Sequence, residues 1–161
     1  MKALILTALL FCAGAPISDI DQEYLRNLCF YEVRGMGEDR HDACLDVVDT
    51  LMYRKENGIL TDGTVWGTLM WGTQPENIDS PVQFVPAAGY LYHPPFVKRS
   101  PYNLLDPEND LYWADDAIND YVSGERGKCA GYPFYDSLER GNEKCTYINE
   151  NNGQRIDFYD G

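Results

Sequence analysis

LCFYEVRG, residues 28–35, ends an amphipathic helix on a carboxylate. Leu25, Leu28 and Cys29 recur at helical spacing and form one apolar stripe. The next position on that stripe is Glu32. A Glu at a helix C-terminus meets the negative end of the helix dipole, and apolar neighbours strip water from it. Both effects favour the protonated acid, and a carboxylic acid held protonated near neutral pH can give its proton to a leaving oxygen. Glycosidic bond cleavage needs such a proton donor. The plainer alternative is a Glu at a frayed helix end that reaches water or pairs with Arg34 or Arg26. Spacing alone leaves both open.

Working outward, Arg34-Gly35-Met36-Gly37 forms a tight break between two helices, over residues 20–33 and 39–55. Asp19 and Gln22 read as a capping box for the first. The second carries the stripe Cys44, Val47, Val48, Leu51 and Met52, with Gly58 just past its end. A short connection makes the two antiparallel neighbours. Cys29 and Cys44 lie at equal distances from the centre of the turn, each on an apolar stripe, which points to a Cys29–Cys44 bridge. A third helix fits residues 63–71, capped by Asp62, with Val65, Trp66, Leu69 and Met70 buried. Residues 72–109 read as a long irregular stretch rich in Pro and aromatics, of the kind that walls a functional site. A fourth helix fits residues 109–123 on Leu111, Ala114, Ile118, Tyr121 and Val122, ended by Gly124. The tail is strand-like: YPFYD, then CTYIN and RIDFYD joined by the turn ENNG at 150–153. The pattern predicts an α+β domain, mostly helical, with a small C-terminal β element.

Composition bounds the partners. The 161 residues include 13 basic and 26 acidic side chains, a formal net charge of -13. Such a chain is repelled by nucleic acid and by anionic lipid. MKALILTALLFCAGA opens with one Lys, an apolar run and small residues, the pattern of a secretory signal. Residues 1–18 are therefore expected to be a signal peptide or an uncleaved N-terminal anchor, and 19–161 the working domain. The apolar run is short for a membrane span. Export implies an oxidising compartment, secreted, periplasmic or wall-associated, with no stable membrane association once the signal is removed. With Cys12 in the signal, Cys29, Cys44, Cys129 and Cys145 remain, an even set. The Cys29–Cys44 bridge leaves Cys129–Cys145. His41 and His93 are too scattered for a metal cluster, so neither metal nor cofactor is expected.

Longer stretches sharpen the reading. YEVRGMGEDRHDACLDVVDTLMYRKENG, then TDGTVWGTLMWG, then Gln83-Phe84 resemble, in order, the SleB-type cell wall hydrolases, the spore-cortex-lytic enzymes and their secreted or phage-borne relatives. Glu32, Arg34, Gly35 and Glu38 match the family's first motif, and the helix ending at Arg54 its second. Thr64-Val65-Trp66-Gly67 and Gln83-Phe84 match the third and fourth. Val33 stands where the family usually has Ala, Tyr53 where it has Asn, Val85 where it has Ser or Thr, and GQRID lacks a late His. The resemblance implies a lysozyme-like domain that cleaves the N-acetylmuramic acid to N-acetylglucosamine bond of peptidoglycan, acts as a monomer, and uses Glu32 as its single catalytic acid/base. A transglycosylase of this kind lets the sugar's own 6-hydroxyl attack and leaves a 1,6-anhydro product.

Around Glu32, Arg34 and Glu38 are expected to support the site, Glu38 otherwise being an acidic residue suited to a helix start. Gln83, Phe84, Tyr90, Tyr92 and Trp113 are the candidates for sugar contact, through an amide and through aromatic faces. The DPENDLYWADD cluster reads as the acidic start of a helix, since the EF-hand pattern is absent. Two further readings stay open: a non-catalytic glycan-binding relative, and a disulfide-stabilised structural protein of a cell or virion surface.

Overall fold

The computed structural model describes residues 17–70, 111–137 and 141–161. Within them lie α1 (Asp19–Val33), a 3-10 turn (Gly37–Asp39), α2 (Arg40–Asn57), α3 (Val65–Met70), α4 (Tyr112–Val122) and strands β1 (Phe134–Asp136), β2 (Cys145–Asn149) and β3 (Gln154–Tyr159). The fold is α+β and mostly helical, with the sheet near the C-terminus, as the sequence pattern predicts. The expected signal segment to residue 16, and Gln83, Phe84, Tyr90 and Tyr92 with the stretch rich in Pro and aromatics, lie outside the described residues.

α2 is the axis of the packing. It contacts α1, α3, α4 and β1. Ala43 to Leu51 are buried without interruption, so the helix passes through the interior instead of resting one face on it. Its apolar side, Cys44, Val47, Val48 and Leu51, joins Leu25, Leu28, Cys29 and Val33 of α1 and Ala114, Ala117 and Ile118 of α4 in one core. Its polar side is buried too. Asp46, Asp49, Thr50 and Arg54 fall at helical spacing and grip the backbone of the segment leading into β1. The carboxylate Oδ2 of Asp46 accepts from the Cys129 N–H (2.7 Å), and that of Asp49 from the Gly131 N–H (2.7 Å). Thr50 Oγ1 donates to the Tyr132 carbonyl (2.9 Å), and Arg54 Nε to the Pro133 carbonyl (2.6 Å). Four polar side chains thus satisfy backbone groups that would otherwise be costly to bury.

The helix ends differ from expectation in detail. Ser18, not Asp19, caps α1, its hydroxyl accepting from the Asp21 N–H at 3.2 Å. Ser and Asp cap equally well, so the difference is one of register: the helix starts one residue earlier than expected and places Ser18 at the cap. α3 begins at Val65, two residues later than expected, with Thr64 as the capping side chain: its hydroxyl accepts from the Gly67 N–H (2.8 Å). Asp62 acts one step earlier, accepting from the Thr64 N–H and hydroxyl. A Cβ on Gly67 would sit 1.8 Å from Asp62 Oδ1, which explains why the Thr-Val-Trp-Gly stretch ends in glycine.

The sheet order is β1-β3-β2, all antiparallel. β2 and β3 form the expected hairpin, with Asn149 paired to Gln154 across the 150–153 turn. Tyr135, Tyr147, Ile156 and Phe158 face the core. Disulfides Cys29–Cys44 and Cys129–Cys145 tie α1 to α2 and the pre-β1 segment to β2, the pairing expected. Among the described residues no helix is long and apolar enough to cross a membrane.

Candidate active site

Glu32 lies in the last turn of α1, held from three directions. The Cys29–Cys44 bridge fixes the helix to α2 three residues earlier. The core residues Leu28 and Val33 pack the same end. The β2–β3 hairpin clasps the turn that follows: Asn149 and Asn152 each donate a side-chain N–H to the Gly35 carbonyl, at 2.7 and 2.9 Å, and Gln154 Nε2 reaches the Glu32 carbonyl at 3.4 Å. These amides occupy the space a side chain at residue 35 would need. A Cβ on Gly35 would lie 1.7 Å from Gln154 Oε1. The glycine after Arg34 is therefore a packing requirement, set by a strand more than a hundred residues away in sequence.

The Glu32 carboxyl is buried, while the residue as a whole is half-buried. Burial raises its pKa from the ordinary 4.5 to about 7. No basic side chain in the last turn of α1 offsets the negative helix end. Opposing burial is the Tyr135 hydroxyl, reaching across from β1 and favouring the anion. Behind Tyr135 stands the Arg54 guanidinium, 4.5 Å from the centre of the Phe134 ring. Burial lowers the Arg54 pKa to about 10, still well above neutrality, so it remains charged.

The other expected site residues separate. Arg34 follows the helix as its C-cap and is exposed, its guanidinium 4.7 Å from the Phe30 ring centre and 5.6 Å from that of Tyr31. It does not pair with Glu32. Glu38 is exposed in the 3-10 turn just before α2, where an acidic side chain suits the helix dipole. Trp113, expected as a sugar contact, is instead part of the core, 9 % exposed, with the Arg40 guanidinium 5.4 Å from its ring centre. Its place on the buried stripe of α4 accounts for the difference. Closer to α1, Tyr24 and Trp66 form a ring pair 5.1 Å apart, and both are partly accessible. Arg26, offered as a partner for Glu32, pairs with Glu23 and with Asp115 (2.8 Å) instead. Tyr135 was not singled out from sequence. Its only signal there is an aromatic at an inward position of a short strand. Among the described residues no group of three His, Cys, Asp or Glu side chains converges as a metal site would.

The arrangement can hold a proton on a carboxyl near neutral pH. Compared with known proteins, the chain matches no protein-family model, no curated protein and no solved structure.

Proposed function

We propose that the protein is a secreted glycosidase of the SleB type, a lysozyme-like domain that cleaves the N-acetylmuramic acid to N-acetylglucosamine bond of peptidoglycan. The observation that carries this reading is Glu32: a carboxyl in the last turn of a helix, pushed up to about 7 by burial. The ordered run of motifs around it supports the same reading, and two disulfides fit an oxidising compartment.

In this reaction the Glu32 carboxyl gives its proton to the glycosidic oxygen as the bond from that oxygen to the sugar's C1 breaks. The 6-hydroxyl of the same sugar then attacks C1 and returns a proton to the Glu32 carboxylate. The products are a 1,6-anhydro sugar and a free 4-hydroxyl, and Glu32 ends as it began. If water attacks instead, the product carries a reducing end.

The decisive experiment is digestion of purified peptidoglycan by the mature protein and by Glu32→Gln, with products read by mass spectrometry. Anhydro-muropeptides from the wild type alone support the transglycosylase, and reducing-end products from the wild type alone support a hydrolase with the same acid. Absence of cleavage with retained binding to the wall favours a second reading, a glycan-binding relative, which Tyr53, Val85 and the missing late His favour. Absence of both overturns the proposal.

A further inference from the structure

We propose that Asn149 is a positioning residue for Glu32: from the far end of the chain, with Asn152 and Gln154, it supplies the cap that α1 lacks and fixes the turn on which the acid stands. The inference rests on the reading of Glu32 as the acid.

A helix leaves its last carbonyls without partners in its own ladder. α2 solves this locally, with Gly58 in the left-handed region (φ 69°) and its N–H on the Arg54 carbonyl. α1 does not. Arg34 keeps right-handed dihedrals (φ -54°, ψ -28°), and the first left-handed residue beyond it is Gly37 (φ 63°). Within the connection the Val33 carbonyl receives the Met36 N–H at 2.9 Å. The hairpin meets the Glu32 and Gly35 carbonyls. Gln154 Nε2 reaches the first at 3.4 Å, and Asn149 Nδ2 and Asn152 Nδ2 donate to the second at 2.7 and 2.9 Å.

The two Asn donors are themselves held. Asn149 Oδ1 accepts from the Asn151 N–H (3.0 Å), and Asn152 Oδ1 from the Gln154 N–H (2.9 Å). A carbonyl can only accept and an N–H can only donate, so each Asn amide has one allowed orientation, its nitrogen toward the Gly35 carbonyl. The strand behind them is anchored along one face. Side chains at alternate positions of a strand point the same way. In β2, Cys145, Tyr147 and Asn149 each fasten a different partner: the Cys129 sulfur, the Asp46 carboxylate (2.6 Å) and the Gly35 carbonyl. Asp46 belongs to α2, so the turn after Glu32 is tied through β2 to the central helix of the fold.

A cap made of amides suits a proton donor. A cation is the usual complement to a helix C-terminus, but beside Glu32 it would favour the anion, which has no proton to give. An amide satisfies the carbonyl without a full charge. Arg34, a cation at this end, turns its guanidinium over the Phe30 and Tyr31 rings.

The test is Asn149→Ala, with kcat and KM measured separately on soluble peptidoglycan fragments at a temperature where wild type and variant are both fully folded by circular dichroism. Carbon NMR of the Glu32 carboxyl is recorded on both. The expected result is kcat down about tenfold with KM little changed, and a Glu32 signal broadened or split as the turn takes up more than one position. Asn149→Asp, the same size but with an acceptor facing the Gly35 carbonyl, should lose at least as much. An unchanged kcat in the folded variant reduces the clasp to packing and overturns the proposal, while the Glu32 reading stands. A raised KM at unchanged kcat makes Asn149 a substrate contact and overturns it too. A wild type that cleaves nothing overturns the Glu32 reading, and the positioning role with it. Should Asn149→Ala not fold, Asn152→Ala removes the exposed donor to the same carbonyl and is expected to lower kcat by less, again at constant KM; no change there overturns the proposal.

Discussion

Asp46 and Glu32 are carboxyls within the same fold, and their surroundings differ. Asp46 presents one oxygen to two donors, the Cys129 N–H at 2.7 Å and the Tyr147 hydroxyl at 2.6 Å. Its other oxygen, Oδ1, is buried without a hydrogen bond, and burial lifts its pKa to about 6. Glu32 meets the Tyr135 hydroxyl, and burial raises its pKa to about 7. Asp46 fastens two distant parts of the chain to α2. The backbone around Glu32 is held by other residues, Asn149, Asn152 and Gln154. An acid buried on a firmly held frame is what the proposed acid role of Glu32 requires.

The contrast is open to breakage, and the largest expected effects have opposite signs. Asp46→Ala leaves the Cys129 N–H and the Tyr147 hydroxyl buried without an acceptor, and urea unfolding at pH 7 should show a loss of about 3 kcal/mol. Glu32→Gln should do the reverse. The displacement of Glu32 from 4.5 to about 7 is worth roughly 3 kcal/mol. Because the folded pKa lies above the unfolded one, this stability is fully present below pH 4.5 and is lost as pH rises through about 7. The variant should therefore be more stable than wild type at pH 8, by about 2–3 kcal/mol, and equal to it at pH 4. A Gln variant that is less stable at pH 8 would make Glu32 a structural residue and erase the contrast.

Gly35→Ala sharpens the comparison from the frame side. Its methyl displaces Gln154, so a loss of about 1–3 kcal/mol is expected in thermal unfolding. Cleavage should fall further than stability explains, because the clasp on the Glu32 turn opens. The smallest effect belongs to His41, which bridges Asp42 (3.1 Å) and Asp120 (2.9 Å) between α2 and α4. The two hydrogen-bonded carboxylates outweigh desolvation and raise its pKa above 6.5. Its contribution is present below pH 6.5 and fades as pH rises through the folded value. With the ring a third exposed, His41→Gln should cost under about 1 kcal/mol at pH 5.5 and nothing measurable at pH 9.

Much of this architecture was legible in the chain because it is local. Apolar spacing marks α1, α2 and α4, alternation marks the strands, and the symmetry of Cys29 and Cys44 about one turn marks their bridge. What spacing does not carry is the identity of distant partners. Asp46, Asp49, Thr50 and Arg54 are as periodic as the apolar stripe of α2, yet their partners are backbone groups some eighty residues away, which no local pattern names. Trp113 shows the converse: an aromatic suited to stacking on a sugar is equally suited to a core, and its helix face decides. At the site, Glu32 was legible from a stripe that breaks on a carboxylate. Tyr135 was not, because only the pairing of β1 with β3 aims it.

The clasp on Gly35 also bears on the order of synthesis. Glu32 is made early, but the amides that hold its turn, Asn149, Asn152 and Gln154, are made more than a hundred residues later. A nascent chain that has released α1 and α2 carries the acid without its frame. If Glu32 is the acid of the proposed function, the step that completes the fold, docking of the hairpin, is also the step that completes the site.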